Sequence, residues 1–365
     1  MQGRGRVART SLTLAEQIDA QIRATGPMSV ATYMGLCLSH PRHGYYAVGR
    51  PIGAEGDFIT APEVSQMFGE LIGFFFVNLW QQMGQPQSFT LLELGPGRGT
   101  LMQDALRAAC KAEGFENALH LQLFESNALL KAEQEKRLGR YNPYWASEID
   151  AVSEDPIFVV ANEFFDALPI RQFVKTDDGW HERLVGLHEG ARSFGLSPTP
   201  IAESAAPPEV HGAYAGEVLE LGTAAVEAMQ RIARKVAVQG GAILAIDYGY
   251  PQTQTGETLQ AVKDHAFADV LEAPGEADIS AHVNFGVLGE AARATGLAVA
   301  PLVDQGELLL RLGLGERARA LAKANPAEAA NIARAVERLT SPQQMGTLFK
   351  ALCVHSPGLR PAGFK

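Results

Sequence analysis

One ten-residue segment limits this chain more than any other: Leu91-Leu92-Glu93-Leu94-Gly95-Pro96-Gly97-Arg98-Gly99-Thr100. An apolar run of strand length, Phe89–Leu94, meets three glycines and then a helical stretch over 100–112. Glycine opens backbone angles closed to other residues and lets a ligand approach the main chain. The helix start behind the turn offers N–H groups with no partner inside the helix. A strand, a glycine turn and a helix in that order open a wound α/β sheet.

The rest of the chain keeps the same rhythm. Strands are expected at 120–124, 157–160, 242–246, 297–303 and 347–354, with helices at Ala128–Leu138 and 217–238 between them. Alternation of this kind favours a parallel sheet with helices on both faces. Residues 1–88 read as a helical region without strands: a helix at 14–24 ended by Gly26-Pro27, a glycine-rich loop at 44–56, and a helix at 65–83. Residues 89–355 form the main domain and 356–365 a tail. Insertions fall at about 171–212, 251–285 and 305–340. The first contains a hairpin over 171–196 with Asp178-Gly179 as its turn. The second is a long charged loop of the kind that usually carries function. In the third, Asn325-Pro326-Ala327-Glu328 reads as a capped helix start.

Composition removes several classes. Of 365 residues, 46% are apolar and 20% charged, an ordinary globular balance. The net charge of −10, from 31 basic and 41 acidic residues, argues against a nucleic-acid substrate. Cys37, Cys110 and Cys353 stand apart and suit neither a disulfide framework nor a zinc site; no metal is expected. The apolar run 71–80 is broken by Gly73 and Asn78, too short for a membrane span. Arg4, Arg6 and Arg9 precede the first acid, Glu16. That end reads as a frayed basic terminus, with a transit-peptide fragment as the alternative.

The glycine turn selects its ligand partly by exclusion. A dinucleotide pattern needs glycine where Thr100 stands, and a phosphate loop needs a Gly-Lys-Ser/Thr ending. An acid two residues ahead of G-x-G-x-G suits a ligand with an ammonium and a carboxylate: Glu93 toward the cation, and the N–H groups of the Gly95-Pro96-Gly97 turn and of Gly99-Thr100 toward the anion, Pro96 having none of its own. Glu125, closing the next strand beside Ser126, can accept both hydroxyls of a ribose. Together these read as S-adenosylmethionine binding in a Rossmann-like class I methyltransferase fold, a seven-stranded, mostly parallel sheet. The fourth strand ends in Asn162-Glu163-Phe164-Phe165-Asp166. Two carboxylates three apart beside an Asn make a cradle for a flat cation such as guanidinium.

The segments 53–63, 92–101 and 162–169, with Ala245-Ile246-Asp247-Tyr248-Gly249 and the stretch 265–285, resemble the MidA family over roughly residues 27–355. That family includes a mitochondrial arginine methyltransferase that assists assembly of respiratory complex I. The resemblance implies transfer of a methyl group from S-adenosylmethionine to an arginine of a complex I subunit near the quinone site, giving symmetric dimethylarginine. It makes Asp57, Phe58, Thr60 and Glu63 a lid over the cofactor. It also implies a cytoplasmic location in a bacterium or the mitochondrial matrix in a eukaryote, with a homodimer as one possible state. Asn162 departs from the His of the mitochondrial members. Glu163 and Asp166 would orient the guanidinium, and a carboxylate, Asp247 or His265 would accept its proton. The competing readings are a methyltransferase for a small molecule or another nucleophile, and a non-catalytic cofactor-binding assembly chaperone.

Overall fold

The computed structural model describes residues 12–47, 60–151 and 154–364. Arg4, Arg6, Arg9, Asp57 and Phe58 lie outside them. The main sheet is built on β1 (Phe89–Leu94), β2 (Leu119–Phe124), β3 (Tyr144–Ala146), β4 (Ile157–Asn162), β5 (Gly241–Tyr250), β6 (Ala298–Val299) and β7 (Phe349–His355). Their spatial order is β3-β2-β1-β4-β5-β7-β6, with the short strands Val283–Asn284 beside β5 and Val303–Asp304 beside β7. The first five run parallel, whereas β7 is antiparallel to both its neighbours. This is the expected Rossmann-like class I fold.

Strand alternation divides the core into two layers. Leu91, Leu244 and Ile246 face one side, and Leu92, Leu94, Ile243 and Ala245 the other. On the first side lie α3 (Gln66–Gln82) and α4 (Thr100–Ala109), together with the C-terminal helices over 305–340. On the second lie α6 (Thr223–Gln239) and α7 (Phe285–Arg293). α5 (Ala128–Leu138) follows β2. The N-terminal helices α1 (Leu14–Thr25) and α2 (Val30–Ser39) instead join a separate core with Ile170 and, from the insertions, Val185, Leu271 and Ile279. Met28–Ser29 pairs with Gly179–His188, so the helical region does carry a short strand.

Five further expectations need correction. Residues 218–221 are a strand paired with Arg171–Thr176, and α6 begins only at Thr223 after Gly222. Pairing with that distant strand wins over helix continuity. The hairpin turns at Asp177-Asp178, because Thr176 pairs with Gly179, and a third strand, Ala191–Leu196, extends it. The 251–285 loop contains a three-stranded sheet of Gln260–Lys263, Ala266–Ala268 and Asp278–Ser280. Asn325 caps nothing: Pro326–Glu328 forms a 3₁₀ turn and the Glu328 carboxylate takes the Asn331 side chain instead. In the 297–303 strand, Pro301 has no N–H to pair, and the run splits into two short pieces on β7.

Candidate functional site

The carboxyl ends of β1, β2 and β4 open into one cleft of about 780 Å³. Ligands of wound sheets bind at such ends. Of the residues singled out from the sequence, Thr60, Glu93, Gly95, Pro96, Gly97, Thr100, Glu125, Ser126, Asn162, Glu163 and Asp166 all line it. The rim reaches solvent at Leu129.

At one end, Gly95, Gly97 and Gly99 all have positive φ, at 64°, 53° and 80°. A Cβ on Gly95 would lie 3.2 Å from the Phe164 ring. Gly99 has a different duty: it packs against Leu138 and Gln134 of α5, letting α5 approach the turn. The first turn of α4 has no side-chain cap, so its N–H groups remain available at the cleft. Glu93 is buried, and its Oε2 has no hydrogen-bond partner. Burial pushes its pKa up to about 8. An uncompensated buried carboxylate beside uncapped amides fits a ligand carrying an ammonium and a carboxylate.

Glu125 sits just after β2. Its Oε1 accepts the Asn127 N–H at 2.7 Å, and burial raises its pKa. Gln134, fully buried on α5, joins this acid to the glycine turn. Its Nε2 donates to the Gly97 carbonyl oxygen at 2.7 Å and lies 3.4 Å from Glu125 Oε2, while its Oε1 accepts from Trp145 Nε1 at 2.7 Å. No sequence motif announces Gln134.

At the other end, Glu163 adopts φ 51°, a left-handed conformation unusual outside glycine. Asp247 enforces it. This residue is fully buried at the end of β5. Its Oδ2 accepts the N–H groups of Phe164, Phe165 and Asp166 at 3.2, 2.9 and 3.2 Å, and its Oδ1 that of Tyr248 at 3.0 Å. Asp247 does not line the cleft, so it holds the turn and is not placed to take a substrate proton. His265 occupies an exposed turn at φ 61° between two strands of the insertion and does not line the cleft either. His282 stacks its ring on Tyr248, with centroids 6.1 Å apart.

Glu163 Oε1 accepts from the Ala61 N–H and from Asn162 Nδ2, both at 3.2 Å, and Oε2 lies 3.5 Å from the Tyr248 hydroxyl. Burial pushes Glu163 up to about 7, against those hydrogen bonds. Asp166 is also shifted upward, by burial and by the charges of Asp247 and Glu163. The Thr100 hydroxyl donates to Glu63 Oε1 at 2.6 Å, and with the Ala61 bond this fixes the 60–64 segment along the cleft. Glu63, Glu93, Glu125, Glu163, Asp166 and Asp278 face the cleft, against Arg98 as the sole lysine or arginine among the described residues there. Such a lining suits a cationic ligand.

Among the described residues no helix is long and apolar enough to cross a membrane, and no group of side chains suits a metal ion. Residues 71–303 match the S-adenosyl-L-methionine-dependent methyltransferase family Methyltransf_28. The zebrafish (Danio rerio) protein arginine methyltransferase NDUFAF7, mitochondrial, is 34% identical over 94% of this chain and 86% of its own length. The human protein of the same name is 33% identical over 90% of this chain and 80% of its own. A crystal structure of a COG1565 superfamily member from Burkholderia thailandensis, bound to S-adenosyl-homocysteine, superposes with a TM-score of 0.83. Its identity is 28%, over 96% of this chain and 93% of that one.

Proposed function

This chain belongs to the Methyltransf_28 family of S-adenosylmethionine-dependent methyltransferases, and on that premise we propose that it methylates arginine in a protein substrate. The acidic substrate end of the cleft is the observation that carries the substrate class: Glu163, Asp166 and Asp278 face it, apart from Glu93 and Glu125 at the cofactor end. The relatives' names, protein arginine methyltransferase, agree with it.

In this reading Glu93 and the uncapped start of α4 hold the amino-acid end of the cofactor, and Glu125 its ribose. S-adenosylmethionine supplies an electrophilic methyl group on a sulfonium. The chain's own work is positional. Glu163 and Asp166 orient the guanidinium and draw its positive charge toward the nitrogens they contact. The attacking nitrogen must lose a proton, because the free guanidinium has a pKa above about 12. Glu163, raised to about 7, is the carboxylate best matched to receive it near neutral pH.

The finer target is a complex I subunit, modified to symmetric dimethylarginine to aid assembly. With it go the mitochondrial location in the names of the eukaryotic relatives, or the cytoplasm in a bacterium, and a homodimer as one state. The test is mass spectrometry of complex I subunits from cells with and without this protein. A dimethylarginine present only with the protein supports the target. An unchanged subunit set rejects it, and methylation of a small molecule by the purified protein would favour the competing enzyme reading.

A further inference from the structure

Two buried acceptors line the cleft without a donor: Glu93 Oε2 on β1 and Asn162 Oδ1 on β4. Glu93 is 3% exposed and Asn162 9%. An unpaired buried acceptor is costly, and a functional cleft is where a ligand supplies what the protein omits. β1 and β4 are neighbours, with Glu93 beside Val160. Leu91 and Val160 belong to one core layer, so strand alternation turns Glu93 and Asn162 to the same face. Asn162 stands two residues, about 7 Å, further along it. In the reading above Glu93 serves the ammonium of the cofactor. Asn162 lies beyond it, next to Glu163.

The Asn162 side chain has one orientation. Its Nδ2 donates to Glu163 Oε1 at 3.2 Å, and a flipped amide would set its oxygen against that carboxylate. The backbone beneath it is sheet: Asn162 pairs with Ile246, and the Glu163 N–H donates to the Ile246 carbonyl oxygen at 2.9 Å. Oδ1 is therefore a fixed acceptor left open to a ligand.

An amide oxygen does what the nearby carboxylates do not. It accepts an N–H at every pH and carries no net charge. A carboxylate favours the guanidinium as a cation and so opposes loss of its proton, whereas a neutral acceptor orients a nitrogen with little of that effect. A cation without N–H groups would satisfy the carboxylates and leave Oδ1 unpaired. Guanidinium, with five N–H donors in one plane, serves both. We propose that Asn162 Oδ1 is a specificity-determining acceptor that takes an N–H of the substrate guanidinium, so that the site reads hydrogen-bond donors as well as charge. This proposal rests on the arginine reading above.

The test uses conjugates of 5′-thioadenosine whose sulfur carries a two-carbon linker ending in a guanidino, a trimethylammonio or a tert-butyl group. The last two match in shape and differ in charge; the guanidino group adds N–H donors. Each is titrated calorimetrically into the full-length protein at about pH 9, where Glu163, raised to about 7, is ionised with or without the Asn162 bond. The wild type binds the guanidino conjugate about tenfold tighter than the trimethylammonio one. Asn162→Leu loses at least about threefold of that gap, while the preference for trimethylammonio over tert-butyl and the S-adenosylhomocysteine affinity each stay within about twofold. Asn162→His restores part of the gap, since one ring nitrogen donates to Glu163 and the other accepts. Asn162→Ala carries the test if Asn162→Leu fails to fold. A full gap in Asn162→Leu, or in Asn162→Ala where it stands in, overturns the proposal and leaves the arginine reading intact. So does a wild type that prefers both cations to tert-butyl without telling them apart. A matching loss of S-adenosylhomocysteine affinity assigns Oδ1 to the cofactor and overturns the proposal as well. A wild type that binds the guanidino conjugate no tighter than the tert-butyl one overturns the arginine reading, and this proposal with it.

Discussion

The side-chain amide of Gln134 spans the two halves of the cofactor end, donating to the Gly97 carbonyl oxygen at 2.7 Å while facing Glu125 Oε2 at 3.4 Å. The glycine turn and the ribose-directed acid are therefore set against each other by a helix that belongs to neither. Gln134→Leu keeps the volume and removes the bonds, leaving Trp145 Nε1 and the Gly97 carbonyl without a partner. Each loss costs on the order of 1–3 kcal/mol. We expect a lower melting temperature and roughly tenfold weaker S-adenosylhomocysteine binding by calorimetry. Unchanged affinity would separate the two halves functionally.

Gly97→Val places a β-branched side chain at φ 53°. The left-handed conformation alone costs about 1–2 kcal/mol outside glycine, and the new side chain enters the cleft itself. Cofactor affinity should fall by more than about tenfold, with Gly97→Ala intermediate. Titration of both variants would decide whether the turn grips the amino-acid end.

The pH dependence has a definite sign. Glu93 titrates near 8 and Glu163 near 7, both raised by burial from the ordinary carboxyl range. Across that interval the folded chain holds protons that the unfolded chain has released. Their stabilisation is complete below the ordinary carboxyl range and is lost as pH rises through about 7 to 8. Each such proton contributes a slope of about 1.4 kcal/mol per pH unit. Urea unfolding of the ligand-free protein should show stability falling from about pH 5 to 8, and Glu93→Gln should flatten that fall. A rising curve would contradict the burial of these acids. Catalysis runs the other way: ionised Glu163 holds the cation, so kcat/KM should climb about tenfold per pH unit below 7.

Asp247→Asn tests the turn anchor. The amide can offer its oxygen to the N–H groups of Phe164, Phe165 and Asp166, but then sets its NH₂ against the Tyr248 N–H. We expect about 3 kcal/mol of lost stability and a fall in kcat of at least about a hundredfold with near-normal cofactor affinity. A variant that loses cofactor binding first would place Asp247 in a different role.

The parts of this molecule legible in its sequence are those that local chemistry decides. Phe89–Leu94 and Ala128–Leu138 have the bounds their apolar pattern indicates, because a buried parallel strand and a helix with an Asn cap need no distant partner to be read. The glycine turn, Glu93, Glu125 and the 162–166 turn share one cleft because each lies at a strand end. Asp247 is ambiguous for an instructive reason: an acid after a central strand looks alike from sequence whether its oxygens face substrate or four backbone N–H groups. His265 is a titratable residue in a motif, yet its turn is exposed. Gln134 carries no local signal, because its role arises only where α5 meets the glycine turn and Trp145. The strand at 218–221 reads locally as helix because its partner, Arg171–Thr176, is far away in the chain.

Glu163 gives one oxygen to the Ala61 N–H and, through that bond, fastens the segment that borders its own cleft. An incoming arginine that recruits the same oxygen competes with the Ala61 N–H and Asn162 Nδ2 for its lone pairs. Substrate capture and the seating of the 60–64 segment thus share one carboxylate, which couples them through hydrogen-bond exchange at Glu163.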